Sequence, residues 1–462
     1  MATKLARTGT SSTNATKFTW SAWVKKSSTG STQMLLYNYL DGNNKSQLAF
    51  LDNEKLYYYD KDGGDLQAEV TTTARYRDCN GWYHICLIGD STDGTQGDRI
   101  QLYVNGVRQT MTGTYPDAND SLGMKVHTGT NHHVIGTNAD STSNPFSGIM
   151  SHVHYVDGID YPATTFGSVD STTGEWKINT SPSISTSDYG NNGYFILKDT
   201  NSGTDQSGNS HNLTVTSGTL TKTEDCPDNV FATWNANLRQ NSTASFAYGN
   251  TAQTTNSSHQ ADVTASGFTT LGMTKGKWYA EFKMNAASYT ILGVSCDINS
   301  NQQGSTGNMY SFIYNNKGFA YYSEDGKAAY NNGTNQFVSY GNTYATGDII
   351  GIALDLDNYK LYFSKNGVWQ NSGDPTSGST GTGSTQAAGT PALPTFTGDN
   401  EYFFCHADYS QTAQSQVFAN FGNGYFGTTA VASAGTNASG IGIFEYDVPA
   451  GYTALSTKGL NL

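Results

Sequence analysis

His152-Val-His154 sets two imidazoles two residues apart. On a strand that spacing puts both on one face, with Val153 and Tyr155 on the other. An outward His-x-His pair can ligate a metal, and three such pairs about a trimer axis would supply six nitrogen ligands. Two ligands alone define no site, so the pair also reads as ordinary surface histidines. Asp199-Thr-Asn-Ser-Gly-Thr-Asp205 alternates oxygen-bearing side chains around a glycine, as calcium loops do. Asp199, Asn201 and Asp205 are the ligands such a loop would offer, and calcium is the one cofactor the sequence suggests. The segment lacks a closing Glu at the twelfth position and flanking helices. An Asx-rich turn, its side chains satisfying the backbone, gives the same pattern. Tyr57-Tyr58-Tyr59 and Tyr321-Tyr322 are the densest aromatic clusters. Tyrosine joins an apolar face to a polar rim, which suits a sugar ring. Strand alternation turns part of each cluster inward. Tyr57, Tyr59 and Tyr321 are thus candidate ligand-binding residues, with Trp369 after the Asn366-Gly367 turn. A Tyr-rich surface equally suits protein–protein contact.

Catalysis finds less support. A retaining glycoside hydrolase needs two carboxyl groups about 5–5.5 Å apart, which on a strand means carboxylates at alternate positions. Glu445-Tyr-Asp447 is the one Glu-x-Asp, it lacks a second Glu, and it reads as a solvated strand end. There is no Gly-x-Ser-x-Gly elbow and no phosphate-binding loop. The expectation is a protein that is not an enzyme.

The elements that must position these residues are strands. Gly (51) and Tyr (30) are abundant, and charged residues are 14% against roughly 25% in an average soluble domain. Thr, Tyr, Val and Phe suit a pleated, half-buried surface, and Gly, Asn, Asp and Ser supply turns. Strands are expected at Lys17–Val24, Gln33–Tyr39, Gln47–Leu51, Lys55–Tyr59, Trp82–Gly89, Arg99–Val104 and Gly148–Val156. A second series includes Lys277–Met284, Thr290–Ser295, Met309–Tyr314, Gly318–Tyr322, Asp348–Asp355, Lys360–Lys365 and Tyr402–Tyr409. Asn105-Gly106 and Asn366-Gly367 close alternating runs, a strong hairpin signal. Residues 373–392 and 427–440 are low-complexity and are expected to be mobile or partner-contacting loops. At 462 residues, two or three domains are expected. The fold class is all-β, with two tandem antiparallel β-sandwich domains of the jelly-roll kind. Residues 1–160 form the first, 161–230 a connector completing it, and 231–462 the second.

A net charge of −13 and the lack of a basic stripe argue against nucleic acid as a partner. Lys25-Lys26 reads as a solvated strand end. The five cysteines (Cys79, Cys86, Cys226, Cys296 and Cys405) are odd in number and without zinc-site spacing, and Cys86 and Cys296 read as buried thiols. No window approaches a membrane span, so no membrane insertion is expected. The polar start, Met1 to Thr16, has no apolar leader core. An extracellular role would need another route, such as assembly into a virus particle.

Phe18-Thr-Trp-Ser-Ala-Trp-Val-Lys, Gly81-Trp-Tyr-His84, Leu102-Tyr-Val-Asn-Gly106, Val134-Ile-Gly136 and Phe146-Ser-Gly-Ile-Met-Ser-His-Val-His-Tyr155 follow one another in an order that resembles the laminin-G-like, concanavalin A-like family. Gly276-Lys-Trp-Tyr-Ala-Glu-Phe282, Ile291-Leu-Gly-Val294, Gly347-Asp-Ile-Ile-Gly-Ile-Ala-Leu-Asp-Leu-Asp-Asn358 and Lys360-Leu-Tyr-Phe-Ser-Lys-Asn-Gly367 resemble the SPRY family. The two halves, joined through Asp228-Asn-Val-Phe-Ala-Thr-Trp-Asn235 and ending in Asn420-Phe-Gly422 and Pro449-Ala-Gly-Tyr-Thr-Ala-Leu-Ser-Thr457, resemble tail-fibre and other virion proteins of bacteriophages. That resemblance implies localisation in the virion and attachment to the host. The implied partners are other virion proteins and a host-surface glycan, with a homo-oligomer, a trimer by analogy. The alternatives are an architectural capsid or tail decoration without ligand, and a polysaccharide-degrading spike.

Overall fold

The protein is described by a computed structural model covering residues 2–122, 129–198, 202–238, 244–255, 267–296, 312–313, 317–332, 334–395, 401–408 and 413–461. It is all-β and divides into two units, Met1–Lys222 and Thr223–Leu462. Among the described residues no helix is long and apolar enough to cross a membrane.

The strands of the first unit are β1 (Lys4–Gly9), β2 (Lys17–Lys26), β3 (Gln33–Asp41), β4 (Asn44–Phe50), β5 (Leu56–Asp62), β6 (Asp65–Thr72), β7 (Tyr83–Asp90), β8 (Ile100–Val104), β9 (Val107–Arg108), β10 (Met111–Thr114), β11 (Gly129–Ile135), β12 (Gly148–Asp157), β13 (Gly167–Val169), β14 (Trp176–Ile178), β15 (Tyr194–Ile196) and β16 (Thr214–Ser217). Eight form a sheet in the order β10-β6-β5-β4-β3-β11-β1-β16, and six form a second in the order β15-β12-β2-β7-β8-β9. The pairings within both are antiparallel. The sheets face each other across one core. From the six-stranded sheet come Phe18, Trp20, Ala22, Val24, Ile85, Leu87, Val153 and Tyr155, and from the eight-stranded sheet Leu36, Leu48, Phe50, Tyr58 and Val70. Each such side chain, fully buried, contributes roughly 1.5–3 kcal/mol relative to exposure. This alternation is the one the sequence shows.

The six-stranded sheet is covered on its other side as well. Residues from the stretch after β12 lie over it: Ala163 and Phe166 pack on Cys86 and Ile88, and Tyr189 packs on Val156 of β12 and Phe195 of β15. The β13–β14 hairpin brings the Trp176 ring against Gly106, whose backbone is left-handed (φ +74°) and where a Cβ would stand 2.4 Å from that ring. Lys25 and Lys26 are buried, contrary to the expectation of a solvated strand end. Lys26 is neutralised by Glu54, donates to the carbonyl of Tyr76 at 3.0 Å, and lies 4.4 Å from the centre of the Phe50 ring.

The second unit contains β17 (Ser245–Ala247), β18 (Ala252–Thr254), β19 (Gly267–Phe268), β20 (Lys277–Ala286), β21 (Thr290–Ser295), β22 (Gly318–Tyr322), β23 (Lys327–Asn331), β24 (Asn335–Ser339), β25 (Ile349–Asp355), β26 (Lys360–Lys365), β27 (Val368–Trp369), β28 (Phe403–Asp408), β29 (Gln416–Asn420), β30 (Tyr425–Phe426), β31 (Thr429–Ala430) and β32 (Thr453–Ala454). One sheet runs β17-β18-β29-β20-β25-β26-β27, with β32 added in parallel to β20, and the other runs β19-β28-β21-β22-β23-β24. Trp234, Phe282, Leu292, Tyr321, Ile352, Phe363, Phe404 and Phe421 fill the core between them. Residues 309–311 and 314 of the expected Met309–Tyr314 strand lie outside the described residues; Phe312 and Ile313 are buried. Residues from Thr223 onward already belong to this unit: the Glu224 N–H donates to the Asn423 carbonyl, and Phe231 bridges to Ser456.

The two low-complexity segments are fixed by hydrogen bonds rather than by apolar area. The Thr385 N–H donates to the Leu361 carbonyl, Gln386 Oε1 accepts the Leu361 N–H at 3.1 Å, and Ser384, Thr385 and Leu393 are buried. In the later segment, Asn437 Nδ2 donates to the carbonyls of Ile441 and Gly442.

Candidate functional site

The outward face of β3–β6 forms a register-defined grid. On β5, residues 56, 58 and 60 point into the core, and 57, 59 and 61 point away from it. Tyr57 opposes Ala49 on β4 and Thr71 on β6. Tyr59 opposes Gln47 on one side and Glu69 on the other, and Gln47 in turn opposes Tyr37 on β3. Lys61 opposes Lys45, which opposes Tyr39. Directly opposed side chains on a pleated face have Cβ atoms about 4.5–5.5 Å apart, so these residues form a continuous surface.

The tyrosines pair along their strands as well as across them. Tyr57 and Tyr59 stack with ring centres 6.3 Å apart, and Tyr37 and Tyr39 with centres 5.7 Å apart. The Tyr57 hydroxyl donates to Glu69 Oε1 at 3.0 Å, and burial pushes its pKa up. Burial likewise raises the Tyr37 phenol to about 12. Tyr37 and Tyr57 are therefore neutral at physiological pH, and the four tyrosines together offer ring faces and hydroxyl rims. Met34, Tyr37 and Ala49 form a small apolar patch that Ala139 covers in part, while Tyr39, Tyr57, Tyr59 and Gln47 remain half-exposed. Sequence reasoning singled out Tyr57 and Tyr59 and missed Tyr37, Tyr39 and Gln47. The spacing Tyr37-x-Tyr39 within an alternating strand carried that signal.

The other sequence candidates are not brought to this face. Tyr321 is wholly buried in the core of the second unit, and its hydroxyl donates to the Asn342 carbonyl. It fails as a ligand platform because β22 is covered on both sides, so neither Tyr321 nor Tyr322 reaches the surface. Trp369 is half-buried, with its ring centre 6.3 Å from that of Tyr279 and 6.5 Å from that of Tyr362.

His152 and His154 are also buried, which corrects the outward metal pair. Val153 and Tyr155 do enter the core, but the opposite face of β12 is roofed rather than open to solvent. His154 stacks on Phe195 at 3.8 Å between ring centres, and its Nδ1 is 2.9 Å from the Tyr189 hydroxyl. Burial holds the imidazole well below its ordinary pKa, so it is neutral. A bulge between Ser151 and His154 takes His152 out of simple alternation, at φ +49°, with its Nδ1 2.7 Å from Ser151 Oγ.

Asp199 and Asn201 lie outside the described residues. Asp205 spends both oxygens on donors: Oδ1 accepts the N–H groups of Phe195 (2.8 Å) and Ser207 (2.9 Å), and Oδ2 accepts the Ser207 hydroxyl (2.7 Å) and the His211 N–H (2.8 Å). A carboxylate that accepts four hydrogen bonds pins a turn and does not fit a calcium ligand. Among the described residues, no group of three or more His, Cys, Asp or Glu side chains could hold a metal ion.

Besides the buried chain neighbours Ser151 and His152, two serine–histidine contacts have the distance of a catalytic dyad but not its protonation or access. Ser21 Oγ lies 2.8 Å from His84 Nε2, while the Trp176 indole N–H donates to His84 Nδ1 at 3.1 Å. Indole is only a donor, so in the neutral ring the proton is on Nε2, and His84 donates to Ser21 rather than accepting from it. Burial lowers the His84 pKa to about 3. Ser415 Oγ lies 3.0 Å from His406 Nε2 and 2.7 Å from Thr290 Oγ1, and all three residues are fully buried inside the second sandwich.

The carboxylates near the end of the chain do structural work. Glu445 Oε2 accepts the Ala432 N–H at 2.7 Å, and Asp447 Oδ1 accepts both the N–H and hydroxyl of Thr436. Neither residue lies on a strand. Glu281, which the sequence did not single out, is fully buried on β20. Its Oε1 accepts the Tyr446 N–H (2.8 Å) and the Tyr279 hydroxyl (3.1 Å), and its Oε2 accepts the Glu445 N–H (2.8 Å). These bonds hold a segment whose Phe444, Val448 and Tyr452 cover Tyr279, Ala353 and Tyr362. Burial outweighs the hydrogen bonds and pushes the Glu281 carboxyl up to about 7.

Residues 2–159 match the family model of the concanavalin A-like lectin/glucanases superfamily (Laminin_G_3), and residues 277–384 match that of the SPRY domain. The two domains occur in that order, both are β-sandwiches, and together they suggest ligand or protein binding. No curated protein matches the sequence. Among solved structures, the chain is similar to the SPRY domain of human HERC1, at 18% identity over 36% of this chain and 86% of that one, with a TM-score of 0.24. A human SPRY domain matches at 16% identity over 36% of this chain and 90% of that one, with a TM-score of 0.25. The heptameric SAP-like pentraxin of Limulus polyphemus matches at 14% identity over 35% and 78%, with a TM-score of 0.24.

Proposed function

We propose that this chain, a concanavalin A-like domain followed by a SPRY domain, is a non-enzymatic surface component of a bacteriophage virion. In this reading it sits in a tail fibre or comparable position among other virion proteins and recognises a host-surface glycan through the tyrosine face of its first domain. The observation that carries the binding role is the grid on β3–β6, where Tyr39, Tyr57, Tyr59 and Gln47 are half-exposed on a rigid sheet. Aromatic faces with polar rims stack on sugar rings and hydrogen-bond their hydroxyls. A sheet fixes those groups more closely than a loop would. The non-enzymatic reading draws support from the two serine–histidine contacts, one with the proton on the wrong nitrogen and one sealed in a core. The virion assignment draws on the resemblance of the paired domains and their connector to phage structural proteins.

Two experiments test the reading. Mass spectrometry of purified virions should find the chain in stoichiometric amount, and its absence from particles sinks the virion role. Arrayed host envelope polysaccharides should retain the full chain, and Tyr59→Ala should abolish retention without changing the melting temperature. An array without hits, together with ordered density for the chain in a particle reconstruction, would leave an architectural role instead.

A further inference from the structure

Lys45 and Lys61 face each other directly across β4 and β5 on the tyrosine face. Opposed like charges on a pleated surface repel, so the pair weakens the sheet that carries it. The ion pairs of the described residues include neither lysine. Nearby carboxylates are turned to other groups. Glu69 accepts the Tyr57 hydroxyl, Asp41 accepts the Asn43 N–H and the Asn44 amide, and Asp60 points inward to the Tyr58 hydroxyl. The Lys45 ammonium lies 5.6 Å from the centre of the Tyr59 ring, with Tyr39 on its other flank. In a chain with only 25 basic residues and a net charge of −13, two ammonium groups thus face each other beside an aromatic platform, while the Glu69 carboxylate stands on the opposite side of Tyr59.

We propose that this lysine row makes the face selective for an acidic saccharide: an anionic group on a pyranose ring lies between Lys45 and Lys61 while the apolar side of the ring rests on Tyr59. The inference rests on the reading of the face as a glycan platform and adds the charge of the glycan. A uronic acid carboxylate and a sulfate ester share the required chemistry. Lysine, a compact point charge with three donors, serves either one.

Calorimetric titration of the full chain tests this with three probes of equal length: tetragalacturonate, a sulfated carrageenan tetrasaccharide, and neutral maltotetraose. The expected result is that at least one acidic probe binds about tenfold tighter than maltotetraose. That preference should shrink as salt rises toward 1 M, where the Debye length falls to about 3 Å. K45Q/K61Q should bring the acidic probe to the neutral level. Y59A should weaken all probes that bind. Whichever acidic probe leads then identifies the anionic group. Equal binding of acidic and neutral probes, unaffected by K45Q/K61Q, overturns the charge selectivity while leaving the platform intact. No binding of any probe by a correctly folded chain overturns both.

Discussion

Glu281→Gln should flatten the pH dependence of stability of the second unit. The wild-type carboxyl titrates at about 7 in the folded chain against an ordinary value of 4.5. A carboxyl raised in this way binds its proton more tightly folded than unfolded. Its contribution to stability is therefore fully present below pH 4.5 and is lost as the pH rises through 7. The interval corresponds to about 3 kcal/mol at 1.36 kcal/mol per pH unit. Glutamine does not titrate, so the stability difference between wild type and variant should shrink by about that amount from pH 4.5 to pH 8. The variant need not be more stable at any pH. Its single carbonyl cannot accept from the Tyr446 N–H, the Tyr279 hydroxyl and the Glu445 N–H together, and its amide nitrogen would face donors. Native-state hydrogen exchange in urea, followed by mass spectrometry on peptides from β20 and β25, reads this unit separately from the first. Parallel curves for the two proteins across the pH range would refute the burial argument. A difference that widened with pH would show that the hydrogen bonds outweigh burial.

Three further outcomes are expected. Asp205→Ala should cost about 2–3 kcal/mol from the four donors it strands, with the same melting temperature in calcium and in EDTA; a calcium-dependent difference would restore the loop as a metal site. Gly106→Ala should cost at least about 2 kcal/mol, since it joins a left-handed backbone to a clash with Trp176, and tryptophan fluorescence should report the displaced ring. His154, held neutral by burial, contributes stability that is present above pH 6.5 and lost as pH falls, so His154→Phe should reduce the acid sensitivity of the first unit, and added nickel should not raise the melting temperature of the wild type.

The hairpins were the most legible part of the sequence. Asn105-Gly106 and Asn366-Gly367 both adopt paired left-handed conformations and close β8–β9 and β26–β27. This is local chemistry, because few residues other than Asn and Gly tolerate those angles. Alternation was equally legible on β5, where it turns Tyr57 and Tyr59 to the same side and sends Tyr58 to the core. What alternation cannot report is what lies over the second face. His154 points away from the core as its strand position requires, yet it meets Phe166, Tyr189 and Phe195 from a later part of the chain. Glu281 and Tyr279 are covered in the same way by residues more than 160 positions further on. Composition misled in a different way at residues 373–392, where side-chain amides and hydroxyls rather than apolar area fix the segment.

The grid on β3–β6 also sets how such a surface can change. Its outward residues share strands with core residues one position away, so inserting or deleting one residue within β4 would drive Lys45, Gln47 and Ala49 into the interior and expel Ser46, Leu48 and Phe50. Point substitution at the outward positions carries no such penalty, since the core and the backbone ladder stay as they are. Diversification of this face should therefore proceed by exchanging side chains at fixed spacing, with length variation confined to the hairpin tips at Asp41–Asn44 and Asp62–Asp65. The same rule makes the face a surface for directed libraries: a handful of codons can be randomised while the sandwich beneath is held constant.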